Sequence, residues 1–337
     1  MKDIYFYMMV GLQGSGKSTY VKQQPKENNH IFSADSWREN YPEEKNDRIF
    51  EMYYGEINYY LDICDANSGI NESPESFYLD NTHCQFKARR TLFDHIKRWK
   101  KIYPTLNFHV IALVMTTPYD ICLQRIKERQ EKTGKVIPEE VLKRYRDSFC
   151  MPIVEEGFED IKLIDGNTLT EISGEINCDP PAYLAIRGQM LEFNQENPHH
   201  AYSLGVHMHK TEDLVFERRE QFLDFANMHI AAGIHDWGKF YTKTYNEQGV
   251  ARYYNHGQVG AYELLSHLEL IPYREKTVAS VCRIIAYVNY HMRPFDWNTE
   301  KALAKAKKEL GESMVHDLII FNQCDKAASG TESELKE

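Results

Sequence analysis

The sequence predicts an α/β domain, a parallel sheet flanked by helices, followed by an all-α domain that forms a helical bundle. Over residues 1–170, apolar runs of strand length alternate with periodic, charged segments of helix length. A turn-rich stretch at 166–181 ends this alternation, and helical periodicity dominates beyond it. The 337 residues suffice for about two domains. We therefore predict a linker over 171–182, a helical domain over 183–330 and a polar tail over 331–337.

Each strand is expected where an apolar run is bounded by turn residues or by a helical pattern. Strands of the first domain are predicted at residues 4–10, 30–33, 77–79, 108–115 and 161–164. In the second domain, helices are predicted over 217–232, 257–268 and 277–290, and only 250–254 alternates as a strand would.

Composition and charge exclude several classes of protein. The net charge of -10 argues against a protein that coats nucleic acid nonspecifically, because that mode needs many Lys and Arg contacts to phosphates. The apolar runs are too short to span a membrane, and the N-terminus lacks the features of a signal peptide. The seven cysteines include no CxxC pair, which argues against a disulfide framework and a thiolate zinc site. A cytoplasmic protein without a membrane partner is expected.

Residues 85–101 carry a local excess of positive charge, although the net charge of the whole chain is negative. We expect this stretch either to contact a polyanion or to be a solvated helix face. Its basic residues are Lys87, Arg89, Arg90, Lys97, Arg98, Lys100 and Lys101.

The motif GxxxxGK[ST] occurs without mismatch directly after the first predicted strand and directly before a helical pattern. In such a loop, successive backbone N–H groups surround phosphate oxygens, and the following helix presents its positive end to them. Lys17 is expected to reach the β- and γ-phosphates of ATP, and Ser18 to ligate Mg²⁺. The predicted ATP-binding residues are Gly11, Gly14, Ser15, Gly16, Lys17, Ser18 and Thr19.

Carboxylates follow the second and third predicted strands. Asp35 is placed to accept a proton from an attacking hydroxyl, because ligands of open α/β sheets bind beyond the carboxyl ends of the strands. Arg38 is expected to bind a phosphate of the acceptor. Asp80, with Asn81 and Thr82, is expected to orient magnesium or the substrate. For both aspartates, capping of a helix N-terminus is the alternative.

A helix after the fourth strand carries Arg125 and Arg129 at i and i+4, on one face. Arginines at a phosphate site neutralise the charge on a transferring phosphoryl group. We predict a lid that senses phosphate, with an exposed helix face as the alternative.

This series of motifs resembles the phosphotransferase domain of 5'-hydroxyl polynucleotide kinases, those of T-even phages included, over about the first 165 residues. The resemblance implies that Asp35 is the general base for the 5'-hydroxyl and that Arg38 contacts the acceptor's phosphate. It also implies that Arg125 and Arg129 hold the donor phosphates. Small-molecule kinases of similar build share the acid after the second strand, so the acceptor stays open. The residues assigned to the substrate are Arg38, Asp80, Asn81, Thr82 and Arg89.

Ten of the fourteen histidines lie after residue 170, more than helical packing usually requires. Six residues of this region are spaced so that different helices can bring them together, and Asp236 could bridge two ions. Imidazole and carboxylate ligands without thiolate suit one or two ions of manganese, iron, nickel, cobalt or magnesium, rather than structural zinc. The predicted ligands are His207, His235, Asp236, His256, His291 and Asp325. Ordinary packing or surface roles are expected for His199, His200, His209, His229, His267 and His316.

The ordered series of H, HD, H, H and D resembles the HD phosphohydrolase superfamily over about residues 185–328, and its two middle histidines match the dinuclear branch. The resemblance implies hydrolysis of phosphomonoesters or phosphodiesters of nucleotides, with Lys239 helping to bind the phosphate. Trp237 departs from the family, which often has an aliphatic residue there.

A kinase and a phosphatase acting on one position would cancel each other, so the two sites are expected to act on different ends. We predict an end-healing enzyme that phosphorylates 5'-hydroxyl ends of RNA, or of DNA, with ATP and Mg²⁺. Its hydrolase would remove a 3'-phosphate, a 2'-phosphate or a 2',3'-cyclic phosphate, so that a separate RNA ligase can join the ends. The resemblance implies RNA repair in a cytoplasm, that of a phage-infected host included. Two alternatives stay open: a nucleoside or small-metabolite kinase fused to an HD nucleotidase, and a nucleotide sensor without turnover.

Overall fold

The computed structural model describes residues 1–198, 200–272 and 275–330, so the predicted tail over 331–337 and His199 lie outside the described residues.

The chain divides into two compact units, and each unit consists of two separate stretches of the sequence. The first comprises Met1–Leu142 and Gly157–Ile172, and the second comprises residues 143–156 and the chain from Ser173 onwards.

The first unit contains a six-stranded sheet with helices between its strands. The strands are β1 (Lys2–Val10), β2 (Asn29–Phe32), β3 (Glu75–Leu79), β4 (Leu106–Met115), β5 (Asp160–Ile164) and β6 (Glu171–Ile172). The helices are α1 (Lys17–Gln23), α2 (Ala34–Asn40), α3 (Asn46–Ala66), α4 (Phe86–Ile102) and α5 (Tyr119–Thr133), and α6 (Glu139–Asp147) begins in this unit.

The sheet has the strand order β2-β3-β1-β4-β5-β6. The first five strands pair in parallel, as the sequence predicts, whereas β6 pairs antiparallel with β5. The sheet is therefore mixed, and the expectation of a purely parallel sheet is corrected at this edge. A strand of two residues is too short to leave an apolar run in the sequence.

Apolar side chains alternate along β1 and are buried between the sheet and its helices. Ile4, Phe6 and Met8 are fully buried on one face. There the Phe6 ring lies 5.2 Å from Phe77 of β3 and 5.4 Å from Trp99 of α4. Because β1 to β5 are parallel, their carboxyl ends meet at one edge of the sheet, and the loops that follow them are brought together there.

The second unit is mainly helical. Its helices are α7 (Pro180–Glu192), α8 (Leu204–Glu217), α9 (Phe225–Ala232), α10 (Lys239–Thr242), α11 (His256–Ser266), α12 (Val278–Tyr290), α13 (Glu300–Leu310) and α14 (Glu312–Ala328). Short 3-10 helices cover Val154–Glu156, Arg219–Gln221, Leu268–Leu270 and Arg293–Asp296. A two-stranded antiparallel hairpin joins β7 (Lys243–Tyr245) to β8 (Ala251–Tyr253).

Two expectations for this unit are corrected. The hairpin means that the unit is not all-α, although its second strand lies within the alternating residues 250–254. The helix predicted over 217–232 is interrupted before α9, because the buried Asp317 carboxylate accepts the backbone N–H groups of Leu223 and Asp224, each at 2.9 Å.

Residues 143–156 group with the helical unit rather than with the sheet. Arg146 forms an ion pair with Glu263 at 3.2 Å, and the ring of Phe149 lies 5.4 Å from that of Tyr262. The Asn289 side chain also hydrogen-bonds the backbone on either side of Cys150. These contacts join residues far apart in the sequence. The predicted domain 1–170 therefore includes residues 143–156, which group with the helical unit in the structure. The predicted linker 171–182 likewise contains the start of α7.

None of the helices in the described part of the chain is long and apolar enough to cross a membrane.

Candidate functional sites

The phosphate-loop motif forms a tight turn between β1 and α1. Gly16 precedes α1 in the left-handed conformation, with φ 97°. Gly14 has φ +81°, and a Cβ added there would lie 2.5 Å from the backbone oxygen of Cys122. Only glycine fits Gly14 without strain, because a side chain meets both the unfavourable φ and a fixed carbonyl.

Lys17 folds back over this loop. Its ammonium donates to the carbonyls of Gly11 at 2.9 Å and Leu12 at 2.6 Å. Burial lowers the pKa of Lys17, and the negative charges of Asp80 and Asp35 partly oppose that shift. The ammonium therefore lies at the centre of the loop, where it can meet an anion.

The predicted ATP-binding residues divide into two groups. Gly14, Gly16, Lys17, Ser18 and Thr19 line a cavity of about 720 Å³ at the carboxyl edge of the sheet. Ser15 and Gly11 do not line it. Ser15 is fully buried and its carbonyl accepts a hydrogen bond from Thr117, so it stabilises the loop from inside.

Asp35 and Arg38 lie together on α2 and both line the cavity. An Arg38 nitrogen donates to the Asp35 carboxylate at 2.6 Å, and 70% of the Asp35 side chain is exposed. Ser33 caps α2 by accepting the backbone N–H of Ser36. Asp35 is therefore not the cap, and its carboxylate faces the cavity.

Asp80, Asn81 and Thr82 follow β3 and also line the cavity. The Asn81 side chain accepts the backbone N–H of Ala34 at 3.2 Å, which ties this turn to the start of α2. The residue that precedes α4 is Gln85, so Asp80 does not cap that helix.

Arg125 and Arg129 project from α5 into the same cavity. Arg125 donates to the carbonyl of Gly166 at 3.0 Å and to the Asn167 side chain at 3.2 Å. Sequence reasoning missed the loop after β5, where Gly166, Asn167 and Leu169 line the cavity. The turn residues of this loop could have drawn attention to it, because every loop at this edge of a parallel sheet is a candidate for ligand binding.

The cavity also contains an ion pair that the sequence did not predict. Lys135, in the connection after α5, donates to Glu39 of α2 at 2.8 Å. The predicted lid therefore contacts the helix that carries Asp35 and Arg38.

The assignment of Arg89 to the substrate is corrected. Arg89 is fully buried, and its guanidinium donates to the carbonyl of His83. Leu92, Phe93 and Ile96 share this buried face of α4. The spacing of 89, 92, 93 and 96 was visible in the sequence and could have placed Arg89 on the apolar face.

In the second unit, two groups of three side chains could each hold a metal ion. One group is His207, His235 and Asp325, and the other is Asp236, His256 and His291. All six predicted ligands are buried and belong to one of the two groups.

The histidines of this cluster are oriented by the backbone. The Nδ1 atoms of His235, His256 and His291 lie 2.9, 2.7 and 2.7 Å from the carbonyls of Ala232, Tyr253 and Val288. A carbonyl only accepts, so each Nδ1 carries the proton and each Nε2 presents its lone pair to the cluster. Metal-binding histidines are commonly oriented in this way.

Two observations test whether these residues fit a metal. The Nε2 atoms of His256 and His291 face each other at 3.1 Å, which places two lone pairs together without a proton between them. Neighbouring ligands about 2.1 Å from one ion would be separated by about this distance. The Nε2 atoms of His207 and His235 are buried, form no hydrogen bond of good geometry among the described residues, and lie 3.0 and 3.4 Å from the Asp325 carboxylate. The donor set therefore fits divalent ions.

The electrostatics of the cluster favour a cation. Burial opposes ionisation of Asp236, but the charge of Lys239 and the contacts with His235 and His207 hold the pKa of Asp236 well below its usual range. Contacts with His207 and His235 likewise lower the pKa of Asp325 despite its burial. Two carboxylates thus stay ionised in a buried site.

Lys239 lies beside the cluster and is almost fully buried. Its ammonium lies 2.7 Å from the Asp236 carboxylate and 2.8 Å from the side-chain oxygen of Gln195. His200 lies 3.4 Å from it, and burial lowers the pKa of His200 to about 3. Sequence reasoning gave His200 an ordinary packing role and did not single out Gln195, because only the fold brings these residues to Lys239.

Gly238 explains how two members of the second group, Asp236 and His256, come close together. A Cβ added at Gly238 would lie 1.9 Å from the backbone oxygen of His256. The backbone that follows Asp236 therefore packs directly against the start of α11, and the absence of a side chain brings Asp236 within 3.1 Å of His256.

Residues 6–152 match the model of a protein family whose description is "AAA domain". The mixed sheet with flanking helices and a phosphate loop fits the fold of P-loop kinases. None of the curated proteins matches the chain.

Solved structures similar to the chain include kinases and a repair complex. A fungal RNA kinase has 16% identity and a TM-score of 0.33, over 49% of this chain and 38% of that chain. A chain of the Pnkp1/Rnl/Hen1 RNA repair complex has 18% identity and a TM-score of 0.32, over 43% of each chain. A gluconokinase from Sinorhizobium meliloti 1021 has 12% identity and a TM-score of 0.26, over 48% of this chain and 82% of that chain. The chain spans about two fifths of the length of the first two.

Proposed function

We propose that the protein heals nucleic-acid ends, phosphorylating a 5'-hydroxyl from ATP and removing a terminal phosphate from the other end. The observation that supports the proposal is the presence of two different kinds of candidate site in one chain. One is a phosphate-loop cavity that contains an acceptor-side acid, and the other is a buried cluster of six metal-ligating side chains.

The kinase reaction follows from the residues of the cavity. The loop N–H groups and Lys17 bind the donor phosphates, and Ser18 holds Mg²⁺. Asp35 accepts the proton of the 5'-hydroxyl as the oxygen attacks the γ-phosphorus, and the bond from the γ-phosphorus to the bridging oxygen breaks. Arg125 and Arg129 stabilise the charge on the transferring phosphoryl group.

Arg38 orients both partners of the proton transfer. Its hydrogen bond to Asp35 directs that carboxylate into the cavity. Its remaining N–H groups can bind the phosphate that follows the first nucleotide. The acceptor thereby places its hydroxyl beside Asp35.

The hydrolase reaction is assigned to the second unit. Divalent ions held by His207, His235 and Asp325 and by the second group would supply Lewis-acid activation of water and of the phosphoryl group. Lys239 binds a phosphate oxygen, since its ammonium lies at the edge of the cluster beside Gln195. All six of the side chains that would hold the ions are buried.

Two variants test whether the activities are separate. Lys17→Ala is expected to abolish transfer of labelled phosphate from ATP to a 5'-hydroxyl oligonucleotide and to leave removal of a 3'-phosphate intact. Asp236→Ala is expected to do the reverse. Loss of both activities in either variant, with the fold intact by circular dichroism, would contradict two independent sites.

A kinase for nucleosides or small metabolites fused to a nucleotidase is the second candidate. The net charge of -10 favours it, because a long polyanion is repelled by an acidic surface. Faster phosphorylation of nucleosides than of oligonucleotides would select it. A sensor without turnover would not require Asp35 as a base.

A further inference from the structure

The surface beside the acceptor side of the cavity combines one exposed aromatic ring, Phe50, and two half-buried rings, Tyr54 and His95, with exposed cations. It lies on two neighbouring helices, α3 and α4, which run side by side. The Tyr54 ring stacks on His95 with centroids 3.8 Å apart, and the Trp99 indole donates to Asn58 at 2.7 Å. Because 54 pairs with 95 and 58 with 99, the two helices are parallel and in register.

Residues of α3 continue this surface from Arg38. Arg38 donates to Asn46, and its guanidinium lies 5.6 Å from the centre of the Phe50 ring. One helical turn after Phe50 on the same face of α3 is Tyr54. Phe50 is 39% exposed, so part of its ring is accessible to a ligand beside Arg38.

Cations flank these rings on α4. Lys87 and Arg98 are exposed and lie on the same face of α4 as His95, at i−8 and i+3. The charge of Arg98 is close enough to oppose the rise in the pKa of Tyr54, which burial raises to about 12. Lys87 and Arg98 are separated by about 16 Å along the helix, a length that suits a few nucleotides.

We infer that Phe50, Tyr54, Lys87, His95 and Arg98 bind the nucleotides that follow the acceptor's first phosphate. We call this set the α3–α4 track. The inference rests on the proposed kinase function and extends it to a substrate class, a single-stranded oligonucleotide of about three nucleotides. The base after the first phosphate stacks on Phe50, and the next phosphates contact Lys87 and Arg98. Base stacking on aromatic rings and phosphate contacts along a basic groove are the general means of binding single strands.

The charge pattern favours nucleic acid over an acidic protein. The whole chain carries a net charge of -10, yet Lys87 and Arg98 are exposed cations on the face of α4 that carries His95, and Arg38 lies beside Phe50. An aromatic ring beside a row of cations binds both parts of a nucleotide, whereas an acidic peptide would require only the cations. The buried Arg89 does not contribute to this surface.

The test compares two acceptors that differ only beyond the first phosphate. A nucleoside 3'-monophosphate ends at Arg38, whereas a 5'-hydroxyl trinucleotide continues over the track. For Phe50→Ala, the ratio of kcat/KM for the trinucleotide to that for the monophosphate is expected to fall about tenfold, in the range for one stacked base. Phe50→Tyr keeps the ring and is expected to keep the ratio. An unchanged ratio in Phe50→Ala would overturn the inference.

Charge reversal supplies a matched pair of variants. Lys87→Glu is expected to weaken trinucleotide binding and to reduce the slope of log affinity against log salt by about 0.7 per lost contact. Lys100→Glu makes the same change on the same helix, thirteen residues on and about 140° away around its axis, and is expected to bind as the wild type does. Equal effects of the two variants would show that only the overall charge matters.

Direct binding separates this inference from the proposed kinase function. Fluorescence anisotropy with a labelled 5'-hydroxyl trinucleotide, without ATP, measures acceptor binding separately from phosphate transfer. Binding that is lost in Phe50→Ala without any phosphate transfer in the wild type would support the track and contradict the kinase function. Phosphate transfer with no advantage of the trinucleotide over the monophosphate would support the kinase and contradict the track.

Discussion

Manganese(II), added to the full chain after treatment with a chelator, is predicted to raise the unfolding midpoint of the helical unit. The reason is the cluster itself, in which the lone pairs of His256 and His291 face each other at 3.1 Å beside the ionised Asp236. An ion that binds there binds only the folded state, because unfolding separates ligands from different helices. Metal binding and folding are therefore linked.

The size of the shift follows from that linkage. Free metal at about 100 times its dissociation constant stabilises the folded state by about 2.7 kcal/mol per site. In a domain of this size, about 1 kcal/mol moves the midpoint by roughly 2–4 °C. One bound ion should therefore raise the midpoint by roughly 5–11 °C, which scanning calorimetry measures directly.

A pair of variants shows whether the cluster is responsible. Asp236→Asn keeps the shape of the side chain but removes a charged ligand, and is expected to lose most of the shift. Asp317→Asn changes another buried aspartate of the same unit, one that accepts backbone N–H groups outside the cluster. It should lower the midpoint without metal but keep the shift. A wild type without any shift, or equal shifts in wild type and Asp236→Asn, would refute the reasoning.

The remaining predictions concern the first unit. Asp35→Asn should lower kcat for the 5'-hydroxyl about 10²–10⁴-fold with KM for ATP unchanged, as loss of a general base does; an unaffected kcat would contradict the role. Gly14→Ala should destabilise the chain far more than Gly134→Ala in urea unfolding, because both have positive φ but only Gly14 would meet a backbone oxygen at 2.5 Å. For His109, burial lowers the pKa, but hydrogen bonds to two carboxylates outweigh it and raise the pKa above 6.5. Its stabilisation is therefore full below about pH 6.5 and is lost as the pH rises through the raised pKa. The deficit of His109→Asn in unfolding free energy should accordingly be larger at pH 6 than at pH 9, and a deficit independent of pH would contradict it.

Features that depend on neighbouring residues could be predicted from the sequence. The phosphate loop is one continuous segment whose glycine spacing directly specifies its backbone, so the cavity around Lys17 and Ser18 follows from the motif. The long apolar runs of β1 and β4 likewise identify buried strands. The order of the metal ligands also indicated a cluster, since all except the adjacent His235 and Asp236 are far apart in the sequence and can come from different elements.

Features that depend on contacts distant in the sequence could not be predicted in this way. The grouping of 143–156 with the helical unit depends on Glu263 and Asn289, more than 100 residues further on. The position of Gln195 beside Lys239 depends on a turn between two helices. Arg89 is different, because its place on the apolar face of α4 was readable from helical spacing and was overlooked in favour of its charge.

The most direct test of the account uses one RNA that presents both substrates. An oligonucleotide with a 5'-hydroxyl and a 3'-phosphate or 2',3'-cyclic phosphate is incubated with the full chain, ATP, Mg²⁺ and Mn²⁺, and both ends are read by mass spectrometry. We expect the gain of a 5'-phosphate and the loss of the terminal phosphate on the same molecule. RNA that keeps both ends, while free nucleosides or nucleotides in the same mixture are converted, would contradict it.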